Sequence, residues 1–128
     1  MEKIKYKRIN KGKYKYELLK KYSCKTNLPE NLIGVVVGYI RLKNNEITIY
    51  PTYQWDGASG PTWDDKTNMR GSLVHDALYQ LMAEEKIDKK YRKNADDLLY
   101  KHLLEDGMNP FRAKYYWIGV RAAGWIFI

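Results

Sequence analysis

The spacing of apolar residues changes about halfway along the chain. Tyr14, Tyr16 and Leu18 alternate with Lys15 and Glu17, the period of a half-buried strand. After a break at Thr26-Asn27-Leu28-Pro29, the apolar, β-branched run 32–37 predicts a further strand. Residues 39–43 and 46–50 predict a hairpin that turns at Asn44-Asn45, because asparagine tolerates the positive φ such turns require. Ile47 and Ile49 fall on one face of that hairpin, Thr48 and Tyr50 on the other. Residues 51–67 are dense in turn formers, Asp56-Gly57-Ala58-Ser59-Gly60-Pro61 above all, and predict an irregular loop. Trp55 and Trp63 flank it as apolar anchors.

From there the apolar period lengthens to that of a helix. Leu73, Ala77, Leu78 and Leu81 predict a first helix over 68–85, capped by Thr67 or Asn68. Ala95, Leu98, Leu99 and Leu103 predict a second over 89–106, with Gly107 at its C′ position. Asn109 as cap and Pro110 in the first turn start a third, whose apolar stripe is Phe111, Tyr115, Ile118 and Ala122. The pattern predicts one α+β domain over 1–128. N-terminal antiparallel strands with a hairpin occupy about 12–50, an irregular loop 51–67 and a three-helix half 68–128.

At 128 residues the chain can bury a core without disulfide or metal. Its single cysteine, Cys24, excludes an internal disulfide and reads as a small apolar strand residue. No run approaches the ~20 apolar residues of a membrane span, and the Lys-rich start lacks the apolar core of a signal peptide. A cytoplasmic location is therefore expected. The net charge is +8, and residues 1–30 hold ten Lys or Arg against three Glu. Such a segment suits an anionic partner, a small ligand or a lipid, though Lys on outer strand faces also serves solubility. No specific nucleic-acid motif accompanies it.

Chemistry concentrates in the helices. His75 and Tyr79 are four residues apart and share a face, with Asp76 adjacent. Asp96 lies on the apolar face of the second helix, where a carboxylate needs a partner, and Arg92, Tyr79 and His75 are available. An imidazole held by a carboxylate has a fixed tautomer and raised basicity, as a general base requires. The same pair would equally serve as a satisfied polar cross-link between packed helices. Arg70, Arg92, Arg112 and Arg121 would grip an anionic ligand in a shared pocket, or pair with neighbouring acids. One Cys, two His and no ligand spacing make zinc a poor reading. His102, beside the second stripe near a helix end, suits packing or capping.

Asp56-Gly57-Ala58-Ser59-Gly60-Pro61, Leu73-Val74-His75-Asp76-Ala77-Leu78-Tyr79, Arg92 with Ala95-Asp96, Gly107-Met108, Tyr116, Val120-Arg121 and Gly124 form an ordered series. The series resembles a phage- and prophage-associated family, domain of unknown function 1353, over roughly 35–124. Leu99 stands where that family often has Phe, and Gly60 where it has an apolar residue. The resemblance implies a phage context and carries no established activity. A looser likeness, His75-Asp76-x-x-Tyr79 with a distal Asp96, is to the catalytic helices of secreted phospholipase A2. It would make His75 the base that activates water, Asp96 its orienter, Tyr79 a partner of Asp96, and Asp76 a calcium ligand. The loop around Asp56 and Ser59 would add oxygens. The disulfides and glycine-rich calcium loop of the phospholipases are not matched.

The favoured function is a phospholipase A2-like hydrolase of an ester or phosphoester with a His75/Asp96 dyad and a divalent cation such as calcium as candidate cofactor, because an acidic pair at the centre suits a base better than an anion grip; the alternatives are a protein that sequesters an anionic ligand such as a host immune signalling nucleotide, and a structural virion or lysis-module protein.

Overall fold

The computed structural model describes residues 4–57 and 64–128. Seven strands precede three helices: β1 (Tyr6–Lys11), β2 (Tyr14–Leu18), β3 (Tyr22–Lys25), β4 (Gly34–Val36), β5 (Ile40–Lys43), β6 (Glu46–Ile49), β7 (Gln54–Trp55), α1 (Met69–Ala83), α2 (Arg92–Glu105) and α3 (Pro110–Ala123). The fold class is α+β, as the change of period predicts. The β part starts earlier than the expected residue 12, because β1 carries the Lys-rich start as an outer strand. Gln54–Trp55, within the expected loop, forms a strand instead, because it pairs with Tyr16 and Glu17.

The strands form two antiparallel sheets, ordered β1-β2-β7 and β3-β6-β5-β4. The β5–β6 hairpin turns at Asn44 and Asn45, both at φ 52, and aligns Ile40 with Ile49 and Leu42 with Ile47. These four side chains are fully buried, so alternation on paired strands builds one continuous apolar face.

α1 lies against that face. Twelve of its fifteen residues are buried, which marks an internal helix rather than a surface one. Leu73, Val74, Leu78, Leu81 and Met82 join the sheet residues in the main core. Asn68 takes the cap position of α1, but its side chain makes no cap bond. It accepts from the Asp65 amide and donates to the Tyr116 hydroxyl instead.

α2 follows a 3₁₀ turn at Lys89–Tyr91. It ends as predicted at Gly107, whose φ of +94 lets the Met108 amide fold back to the Leu103 carbonyl. Asn109 caps α3 by accepting from the Phe111 amide, with Pro110 in the first turn.

α3 departs from expectation in its orientation. Phe111, Tyr115, Ile118 and Ala122 face outward, whereas Ala113 and Tyr116 are buried. Small residues let the opposite face sit closer to α2, and Gly124 continues that face into a closing 3₁₀ turn. Among the described residues, no helix is long and apolar enough to cross a membrane.

Candidate functional site

A cleft of about 720 Å³ opens between the β2–β7 end of the first sheet, the outer edge of α1, and α3. Ser72, His75, Asp76 and Tyr79 reach it from successive turns of α1, as their three- and four-residue spacing dictates. Lys13, Tyr14 and Tyr53 to Gly57 form the opposite wall, and Tyr116, Gly119 and Val120 the side.

α2 brings Asp96 beneath this wall, with no exposed surface at all. Its Oδ1 accepts from His75 Nε2 at 2.8 Å and from the Tyr79 hydroxyl at 2.6 Å. Its Oδ2 accepts from Arg121 at 2.9 Å and from Arg92 at 3.4 Å. Burial opposes the charge of Asp96, but the bonds from His75, Tyr79 and Arg121 outweigh it and hold the carboxyl below its usual range. Burial, then the bond to Asp96, pushes the Tyr79 phenol far up, so it remains a proton donor. The His75 and Tyr79 rings lie 4.1 Å apart, which fixes the imidazole from its side.

An ionised acceptor at Asp96 puts the proton of a neutral imidazole on Nε2. The lone pair is then on Nδ1, for which no hydrogen-bond partner occurs among the described residues. His75, held by Asp96 through Nε2, also forms part of the cleft wall.

Asp76 and Asp56 also line the cleft. Burial first, then the charge of Asp56 and a hydrogen bond to it, push Asp76 well above the usual carboxylate range, with Lys13 opposing. The proximity of Asp56 thus favours the protonated form of Asp76. Among the described residues no group of three or more His, Cys, Asp or Glu is arranged to hold a metal ion. Asp56 and Asp76 are the carboxylates among the residues lining the cleft.

The four arginines do not form the shared pocket that sequence suggests. Arg70 pairs with Asp106 at 3.0 Å and Glu105 at 2.9 Å at the C-terminal end of α2. Arg112 pairs with Asp65 at 2.6 Å. Arg92 and Arg121 serve Asp96, and Arg92 also donates to the carbonyls of Val120 at 2.9 Å and Arg121 at 3.3 Å. None of the four lines the cleft. Ser59 and Trp63 lie outside the described residues. Burial pushes the Cys24 thiol up to about 11, which leaves it unreactive. His102 is buried, and burial followed by the charge of Arg70 brings it down to about 4, a neutral packing residue.

Lys13, Tyr14 and Tyr53 were not legible as site residues, because strand alternation carries no sign of which sheet end meets a helix. Ser72 was legible in principle, three residues before His75 on the same face. Gly124 belongs to the site by close approach. A Cβ there would fall inside the Tyr79 hydroxyl and 3.1 Å from an Arg92 guanidinium nitrogen. Only glycine lets the end of α3 cover the Tyr79–Asp96 bond.

The fold and cleft define a small α+β protein with a buried carboxylate beneath a cleft-lining histidine. A family model described as a protein of unknown function, DUF1353, matches residues 35–120, more than half of the chain. The chain belongs to that family. No curated protein and no solved structure matches it.

Proposed function

We propose that the protein is a hydrolase of esters or phosphoesters in which His75 is the general base. The observation that carries this reading is the 2.8 Å contact between His75 Nε2 and the ionised, fully buried Asp96, with His75 on the wall of an open cleft. Water in the cleft would give its proton to Nδ1 as its oxygen attacks the carbonyl or phosphoryl centre. Asp96 then stabilises the imidazolium across the Nε2 bond, without taking the proton itself. Its other three donors keep it ionised and aligned. In structural terms Tyr79, Arg92 and Arg121 are positioning residues for Asp96, and Asp96 is a positioning residue for His75.

Asp76, whose protonated form is favoured beside Asp56, would in that form donate a hydrogen bond to developing oxyanion charge. The pair also suits a hard cation, which would relieve their mutual repulsion. When bound at Asp56 and Asp76, a divalent cation such as calcium would supply positive charge beside the reacting oxygen. The remaining oxygen ligands would be backbone or water.

The sequestering reading has less support, because all four arginines are already met by carboxylates and stand outside the cleft. A purely structural role leaves the place of His75 on the cleft wall unexplained.

The test is a panel of chromogenic carboxylic and phosphate esters, assayed with calcium and with chelator. His75→Ala is expected to lower kcat at least ~100-fold, the lower bound for a lost general base, while circular dichroism stays unchanged. Full activity in the folded alanine variant, or no turnover of any ester by the wild type in either condition, would overturn the assignment.

A further inference from the structure

The outward face of α3 repeats with a period that needs a partner. Phe111, Tyr115, Ile118, Ala122 and Trp125 recur at intervals of four, three, four and three. Their large members are 89%, 54%, 54% and 63% exposed, and Ile126 and Phe127 add 62% and 65%. Among the described residues the core leaves this stripe uncovered, since α3 buries its other side.

Charge decides what would cover it. Residues 107–128 contain Arg112, Lys114 and Arg121 and no acid. In the helical repeat these three take the positions flanking the stripe. Arg112 and Arg121 are turned to Asp65 and Asp96, so Lys114 is the flanking cation that meets a partner, and a second copy would bring no acid from this helix to pair with it. The stripe also spans only two heptads, short of the about three or four that a coiled coil sustains. Aromatic side chains beside Lys and Arg are the composition of a helix lying in a membrane interface. Lys114 reaches over the Trp117 ring at 4.4 Å, which holds cation and aromatic on one surface.

The stripe continues into the cleft, for Tyr115, Ile118 and Phe127 belong to both. Lys13 stands across the opening.

We propose that α3 and the closing 3₁₀ turn dock on an anionic lipid surface, with the cleft mouth facing the headgroups. Docking stands on the surface chemistry alone. That the substrate is a lipid ester rests additionally on the hydrolase reading.

Flotation of the full chain with vesicles of phosphatidylcholine, with and without phosphatidylglycerol, tests it. The protein is expected to bind the anionic vesicles at least about tenfold better, less so in high salt. Ile118→Glu and Trp125→Glu should each lower that binding about tenfold or more. Val37→Glu, at an 88% exposed apolar residue on the hairpin side, should not. Neither should His75→Ala, so docking and catalysis can fail separately. The proposal is overturned if the wild type ignores both vesicles, or if the glutamate variants bind as well as it does. It is equally overturned if sedimentation shows a wild-type dimer that Ile118→Glu dissociates, or a soluble acidic protein occupies the face in preference to vesicles.

Discussion

Gly124→Ala adds one methyl group at the point where three parts of the site converge. The new carbon would overlap the Tyr79 hydroxyl and come within 3.0 Å of Tyr79 Cζ and 3.1 Å of an Arg92 nitrogen. Neither neighbour is free to yield. The Tyr79 hydroxyl is held at 2.6 Å by Asp96 Oδ1, and Arg92 is held at 2.9 Å by the Val120 carbonyl. Overpacking a rigid site costs about 1–3 kcal/mol, and displacing a hydrogen bond to a charged group about 1.5–3 kcal/mol. Because the methyl can relieve one by causing the other, the expected loss is ~2–4 kcal/mol rather than their sum. Urea unfolding would read it.

Tyr79→Phe removes the obstructing oxygen. In that background Gly124→Ala should cost at least ~1 kcal/mol less, a coupling within the usual range for touching residues. Gly119→Ala is the control. A Cβ there meets nothing within 4 Å, so it should stabilise the helix by about 0.5–1 kcal/mol. A neutral Gly124→Ala, or strict additivity with Tyr79→Phe, would refute the claim that glycine is required for this contact.

Two further outcomes follow from the carboxylates. Asp96→Ala leaves two guanidiniums, an imidazole and a phenol without their acceptor, and thermal or urea unfolding should show a loss of about 3–5 kcal/mol. Since Asp96 is held below its unfolded value of about 3.9, its contribution is complete above that pH and lost as pH falls through the folded value. Asp76 has the opposite sign. Its folded value is raised, so stability declines as pH rises from about 4 towards that value. Asp76→Asn should flatten this slope and leave the protein at least as stable at pH 8, each kcal/mol reading as about 3–5 °C in Tm. A lower Tm for the asparagine variant at pH 8 would contradict the repulsion between Asp56 and Asp76.

Local chemistry alone settled several features. Paired asparagines dictated the β5–β6 turn, and Asn109-Pro110 and Gly107 set the adjoining helix ends, because those backbone angles suit few other residues. Spacing put His75 and Tyr79 on one face of α1, and Arg92 one turn before Asp96. Helical periodicity also showed that α3 has an apolar stripe. Periodicity cannot say what covers a stripe, and only packing revealed that the core takes Ala113, Tyr116 and Gly124 while Phe111, Tyr115 and Ile118 face outward. The meeting of Asp96 with His75, Tyr79 and Arg121 spans 17 to 25 residues. It exists because α1, α2 and α3 cross at one level, a property of tertiary packing that no local interval encodes. The same packing sent Arg70 and Arg112 to other acids. It also placed Lys13 and Tyr53 across the cleft, since sheet topology decides which strand ends face a helix.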